Sequence, residues 1–171
     1  MSVLTRDVIL REIEQGRLRI EPFDKCQIGA ASIDLHLGEQ LRIITLDQNG
    51  PVPVTDDADS PLESEVIPFT GPYVLEPGRT VHGVTRERLI FPPDICGWIE
   101  GRSRIARFGL TVHVSSGFIQ PGVSNHQVLE LSNLSGLPLQ ILPGTRICQI
   151  VLQRTEGRAV YRGNYARQDA P

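Results

Sequence analysis

The segment GFIQPGVSNHQVLELSN, residues 117–133, has the pattern of two short strands joined by a tight turn. The Pro121-Gly122 pair suits a type II turn, in which glycine occupies the position that needs a positive φ. Side chains of a strand point alternately to its two faces. Leu129 and Leu131 are therefore predicted to face the core, and Glu130 to face the opposite side.

Turn signals of the same kind recur along the chain. Pro77-Gly78 and Pro143-Gly144 each lie between short apolar runs. Nearer the start, Ile33, Leu35 and Leu37 alternate with polar residues, as in a strand that buries one face. Many short strands joined by tight turns predict an all-β barrel or sandwich.

Two helical segments are predicted outside the strands. One begins after Thr5, whose side chain suits an N-cap, and ends at Gly16. The other is a short helical turn directly after Gly101. Residues 47–65 contain three prolines and six acidic residues, so this segment is predicted to be an exposed loop.

Composition narrows the class of protein. The 171 residues carry a net charge of -3 with a pI near 5.8, which argues against binding of polymeric nucleic acid. The length predicts one domain over residues 1–171. We expect a cytoplasmic protein, because no apolar run could cross a bilayer and no signal peptide is evident. Cys26, Cys96 and Cys148 are widely spaced, which predicts buried free thiols.

The densest polar chemistry lies in GRSRIARFGL, residues 101–110. A strand that runs through glycine into a helical turn presents backbone N–H groups to an anion, and Arg102 and Arg104 would add charged donors. Ser103 and Arg107 are four residues apart and would share one face of the turn. In the alternative interpretation, Ser103 only caps the turn and the arginines form surface ion pairs.

Glu130 is the second candidate for chemistry. A carboxylate in the middle of so apolar a strand is costly to bury unless it is paired or used. The alternative is an edge strand whose glutamate faces water, the commoner position of a single glutamate.

The run GRSRIARFGLTVHVSSGFIQPGVSNHQVLELSN, residues 101–133, resembles the dCTP deaminase branch of the dUTPase and dCTP deaminase superfamily. ASIDLHLG at 31–38, LPGTRI at 142–147 and the closing segment 161–171 resemble further motifs of that family. The resemblance implies a distorted jelly-roll or β-barrel of the dUTPase-like type. It also implies a homotrimer with sites at subunit interfaces, and a mobile segment, about 157–171, that closes over the nucleotide.

The resemblance also implies roles for individual residues. Glu130 would be the general base, Ser103 would position the attacking water, and Arg107 would stabilise Glu130. Arg102, Ser103 and Arg104 would hold the triphosphate, with Mg²⁺ bound through the nucleotide rather than by protein ligands. The remaining implied substrate contacts are Ile105, Ala106, Gln120, Val128, Leu129, Tyr161 and Gln168. In the family, the match to His113-Val114 is linked to inhibition by dTTP.

A zinc mechanism is not expected. Zinc-dependent cytidine deaminases need His-x-Glu and Pro-Cys-x-x-Cys motifs, and neither occurs in this sequence. The resemblance implies hydrolysis of dCTP to dUTP and ammonia, and the missing motifs predict that the reaction is zinc-independent.

Three positions depart from the family pattern. Gln120 stands where the family has an aspartate. In the dUTPase branch that aspartate activates the water that attacks phosphorus, and an amide cannot act as that base. This disfavours two alternatives, a dUTP diphosphatase and a bifunctional enzyme. Arg104 replaces a serine, and Asn164 stands where a lysine is usual. These changes leave open a third alternative, a non-catalytic nucleotide-binding regulator.

Overall fold

A computed structural model describes residues 2–45, 50–52, 54, 63–113, 115–163, 165–166 and 169–171. Short strands dominate these residues, as the turn pattern predicted. The helices are α1 (Arg6–Glu14) and α2 (Ser103–Ala106), with a 3₁₀ turn at Lys25–Gln27. The strands are β1 (Arg19–Glu21), β2 (Ile33–Ile44), β3 (Ser64–Pro68), β4 (Tyr73–Leu75), β5 (Thr80–Ile90), β6 (Ile95–Gly101), β7 (Leu110–Val112), β8 (Phe118–Ile119), β9 (Ser124–Asn133), β10 (Leu139–Ile141) and β11 (Arg146–Arg154).

Nine of the strands form one curled antiparallel sheet. Its order is β7-β9-β5-β2-β11-β6-β8, with β1 paired to β5 and β3 paired to β2. Strands β4 and β10 form a separate two-stranded sheet. Strands distant in sequence lie side by side, as in a jelly roll, so the all-β prediction is confirmed.

The core lies on one face of this sheet, where the predicted alternation holds. Ile33, Leu35 and Leu37 on β2 are fully buried, as are Leu129 and Leu131 on β9. Burial of such side chains contributes roughly 1.5–3 kcal/mol each relative to exposure. A one-residue slip of β9 would exchange its two faces, so the leucines fix the direction in which Glu130 points.

The predicted turns and helices also form. Gly78, Gly122 and Gly144 have φ of 72°, 76° and 74°, the conformation that a type II turn requires. Thr5 occupies the N-cap of α1, but its hydroxyl donates to Asp7 rather than accepting from the helix backbone. Gly16, just beyond α1, has a φ of 67°.

Two expectations need correction. Cys96 and Cys148 are buried free thiols, but Cys26 is exposed, because it lies on the 3₁₀ turn at the surface. β3 begins at Ser64, so the end of the expected loop pairs with β2. Residues 47–49, 53 and 55–62 of that loop lie outside the described residues.

No helix among the described residues is long and apolar enough to cross a membrane.

Candidate active site

A cleft of about 840 Å³ opens on the face of the sheet opposite the two core leucines of β9. Its lining includes four of the predicted site residues: Gln120, Val128, Glu130 and Tyr161. β9 pairs with β7 on one side and β5 on the other, so Glu130 is not on an edge strand. The glutamate is thus directed into a cleft and not simply into water.

Four polar side chains form a row along one wall of this cleft. In the antiparallel register, Arg42 of β2 is opposite His82 of β5, and His82 is opposite Glu130 of β9. His113, directly after β7, donates its backbone N–H to the Glu130 carbonyl at 2.9 Å. All four side chains line the cleft. The Glu130 carboxylate thus has one imidazole on each side, His82 and His113.

The closest neighbour of the Glu130 carboxylate is His113. Their Oε2 and Nδ1 atoms are 2.7 Å apart, and the Glu130 side chain is 35% exposed. The two atoms are buried and close but not aligned as a hydrogen bond, and neither has another partner among the described residues. Contact with His113 lowers the pKa of Glu130, although burial opposes the shift. Glu130 is therefore ionised at neutral pH, as a general base must be.

His113 is held in an uncommon backbone conformation. Its φ is 51°, in the left-handed region that costs a residue other than glycine about 1–3 kcal/mol. The other ring nitrogen, Nε2, lies 2.9 Å from the Ser116 carbonyl oxygen. The strained backbone and this second contact together hold the imidazole against Glu130.

Replacing His113 with asparagine is expected to shift the acid limb of the kcat/KM profile to higher pH. The sign follows from the pKa of Glu130. His113 is the largest cause of the lowered pKa, so without its imidazole the pKa rises, because burial is then opposed only by a backbone hydrogen bond and by His82. Asparagine tolerates the positive φ. Steady-state rates from pH 4 to 8 test this, and coincident acid limbs in the two proteins would contradict it.

The predicted helical turn after Gly101 lies away from this cleft. Leu110 pairs with Asn133, three residues beyond Glu130 on β9. At about 3.3 Å per residue, this places β7's first residue about 10 Å from Glu130. α2 (Ser103–Ala106) comes just before β7 in the chain. Ser103 and Arg107 are exposed and are not among the residues that line the cleft.

Within one chain, therefore, His113 and not Arg107 is the group beside Glu130. Arg104 is exposed on the same turn as Ser103. Arg102 is already paired: it contacts Asp34 at 3.0 Å and donates to the Arg146 carbonyl at 2.9 Å. The structure does not bring the predicted phosphate-binding arginines and Glu130 together in a single copy.

The remaining predicted substrate contacts lie in different parts of the structure. The Leu129 side chain is in the core, so only its backbone is available to a ligand. Ile105 packs against the core, and Ala106 is exposed. Tyr161 lines the cleft, with its backbone N–H bonded to the Pro121 carbonyl at 2.9 Å. Gln168 and Asn164 lie outside the described residues.

Comparison with known proteins identifies the family. Residues 3–155 match the dCTP deaminase-like family. A protein of Parafrankia sp. (strain EAN1pec), named dCTP deaminase, dUMP-forming, is 36% identical over 100% of this chain and 88% of its own length. A protein of the same name from Mycolicibacterium vanbaalenii is 40% identical over 90% of this chain and 80% of its own. Both names give dCTP as the substrate of those proteins, but give dUMP rather than dUTP as their product.

Solved structures show the same fold. The 2'-deoxycytidine 5'-triphosphate deaminase of Agrobacterium tumefaciens superposes with a TM-score of 0.68 at 23% identity, over 90% of this chain. This chain spans 48% of that one. A mutant form of the dUTPase of Staphylococcus bacteriophage 80alpha gives a TM-score of 0.51 at 14% identity, over 86% of this chain and 96% of its own. These likenesses define a protein of the dUTPase-like fold. The family match, which covers most of the chain, goes further: the chain belongs to the dCTP deaminase-like family.

Proposed function

We propose that this protein hydrolyses dCTP to a deoxyuridine nucleotide and ammonia, with Glu130 as the general base. The observation that supports this most is the position of the Glu130 carboxylate, in mid-strand, directed into a polar cleft and flanked by imidazoles. Its Oε2 atom is buried without an aligned hydrogen bond among the described residues. That oxygen faces His113, but the side chain as a whole is 35% exposed, so the attacking water would bind from the cleft at the other oxygen, Oε1.

The proposed chemistry needs one carboxylate and one water. The water oxygen attacks C4 of the cytosine while Glu130 accepts a water proton. That proton passes to N3, which leaves C4 tetrahedral with one hydroxyl and one amino group. Glu130 then accepts the hydroxyl proton and delivers it to the amino group, so that ammonia leaves as the C4 carbonyl forms. The carboxylate ends the cycle ionised, as it began.

We propose that the remaining groups come from a second copy of the chain. Ser103, Arg104 and Arg107 are exposed on α2 and its C-cap, so in an assembly they would be free to contact the cleft of a neighbouring copy. The family resemblance implies a homotrimer with sites at subunit interfaces, and such an arrangement would complete the site. In it, Ser103 would position the water, and Arg107 would approach Glu130 from the open side of the cleft.

Mg²⁺ would accompany the triphosphate in this proposal. The described residues hold no cluster of three or more His, Cys, Asp or Glu side chains that could ligate a metal. Mg²⁺ commonly binds substrate phosphates and keeps several waters, so the proposal requires few or no protein ligands. Inhibition by dTTP remains a prediction from the resemblance.

The second candidate is a bifunctional enzyme that also releases pyrophosphate. The names of the relatives, dUMP-forming, favour it. Gln120, exposed at the cleft, argues against it, because its amide cannot accept a proton as the family's aspartate can. We therefore propose dUTP as the main product of this chain.

One assay separates these functions. The purified protein is incubated with dCTP and Mg²⁺, and ammonia, dUTP, dUMP and pyrophosphate are measured over time. Ammonia with an equal amount of dUTP is the result we expect. Pyrophosphate in step with ammonia would establish the bifunctional reaction, and nucleotide binding without any product would indicate a non-catalytic regulator.

Replacing Gln120 with aspartate is expected to raise the rate of pyrophosphate release at least tenfold. It would place a carboxylate where the dUTPase branch has its water-activating base, and a positioned base contributes about 10²–10⁴ in rate. Gln120→Asn is the matched control, because it has the length of aspartate but keeps the amide. Equal pyrophosphate release by the wild-type and Gln120→Asp proteins would contradict the assignment.

A further inference from the structure

His82 is the member of the cleft row to which the proposed reaction gives no role. The residue is half-buried on β5, and its side chain lines the cleft. Its ring makes no hydrogen bond among the described residues, and it forms no ion pair with Glu130 within 4.0 Å. The ring nitrogens are therefore available to a ligand.

The state of the His82 ring follows from its surroundings. Burial lowers the pKa of His82, and Arg42 on the adjacent β2 adds to the effect, while Glu130 on β9 opposes it. The ring is thus neutral at pH 7, since its ordinary pKa is 6.5. A neutral imidazole carries one lone pair that accepts a hydrogen bond and one N–H donor.

The register places His82 within reach of any group bound at Glu130. The two residues are directly opposite each other on paired strands. Their Cβ atoms are thus about 4.5–5.5 Å apart, yet their polar ends do not touch. Both side chains line the same cleft. A ligand group bound at Glu130 therefore has His82 as its neighbour on the adjacent strand.

We propose that His82 is a specificity-determining residue that accepts a hydrogen bond from the amino group at C4 of the pyrimidine. The inference rests on the proposed function, which places C4 beside Glu130. The amino group has two N–H donors, and the ionised Glu130 and the neutral His82 supply two acceptors. A uracil ring brings a carbonyl to the same place, where it meets the carboxylate as a second acceptor. The pair thus favours the substrate over the product.

The test compares the affinities for the two bases. The KM for dCTP is measured by ammonia release, and the Ki is measured for the α,β-imido analogue of dUTP as a competitive inhibitor. His82→Leu is expected to raise the KM about 3- to 10-fold, the loss of one hydrogen bond, and to leave the Ki within about twofold. His82→Asn, whose amide oxygen can accept, should recover part of the loss.

Controls separate this role from a structural one. Thr80→Val lies two residues earlier on β5, bonds to Ser132 at 2.7 Å and is outside the cleft lining, so it should change neither constant. Melting temperatures check the fold of each variant. Equal changes in KM and Ki, or no change in either, would overturn the inference. If the wild-type protein releases no ammonia, the proposed function fails, and direct titration with the α,β-imido analogues of dCTP and dUTP still measures whether His82 discriminates between them.

Discussion

Replacing Glu130 with glutamine is expected to lower kcat for ammonia release by about 10²–10⁴. Glutamine keeps the shape of the side chain but cannot take a proton from water. Because Leu129 and Leu131 fix the strand in the core, the fold should be unchanged. Ammonia release at saturating dCTP and the melting temperature measure the two effects independently.

The matched control for this variant is Glu21→Gln. Glu21 is also a strand glutamate, but it is exposed on β1 and is 3.8 Å from Arg19 in a surface pair. Such pairs contribute little to stability, about 0–1 kcal/mol, so the control should keep wild-type activity. A Glu130→Gln protein that retained more than a tenth of the wild-type kcat would exclude this carboxylate as the base.

Mixing two inactive variants is expected to restore activity. If each site takes Glu130 from one copy and Arg107 from the next, a Glu130→Gln chain and an Arg107→Ala chain complement each other. In a cyclic trimer of randomly mixed chains, about one site in four then has both native residues. Co-expression followed by an ammonia assay should give about one quarter of the wild-type activity, far above either variant alone.

A site contained within one chain predicts a different result. The co-expressed mixture would then show only the average of the two inactive parents. Arg11→Ala is a suitable control for loss of a surface arginine, because Arg11 is exposed on α1 and pairs weakly with Asp7 at 3.9 Å. It should be fully active alone and should not complement Glu130→Gln beyond its own contribution.

The sequence pattern within a few residues was sufficient to predict the strands and turns, and to predict which side chains point into the core. The two-residue period of Leu129 and Leu131 placed Glu130 on the opposite face, and the Pro-Gly pairs predicted turns at Gly78, Gly122 and Gly144. These features depend on sterics within a few residues. The exposure of Cys26 depends on how a surface turn packs, which spacing between cysteines does not reveal.

The row of cleft side chains could not be predicted in the same way. Arg42, His82 and Glu130 become neighbours only through the pairing of β2, β5 and β9, strands that are far apart in sequence. The approach of His113 depends on a positive φ at a non-glycine residue. Ser103 and Arg107 lie on one turn, as their spacing predicted, but local spacing did not reveal that this turn is not part of the cleft lining in its own chain.

The most direct test of the account is the structure of the protein bound to the α,β-imido analogue of dCTP with Mg²⁺. The distance that matters joins a Glu130 carboxylate oxygen to the water positioned over C4. We expect the pyrimidine ring in the cleft and a distance of about 2.6–3.2 Å, the reach of a general base. A ring bound elsewhere, with Glu130 facing only bulk solvent, would contradict the central claim.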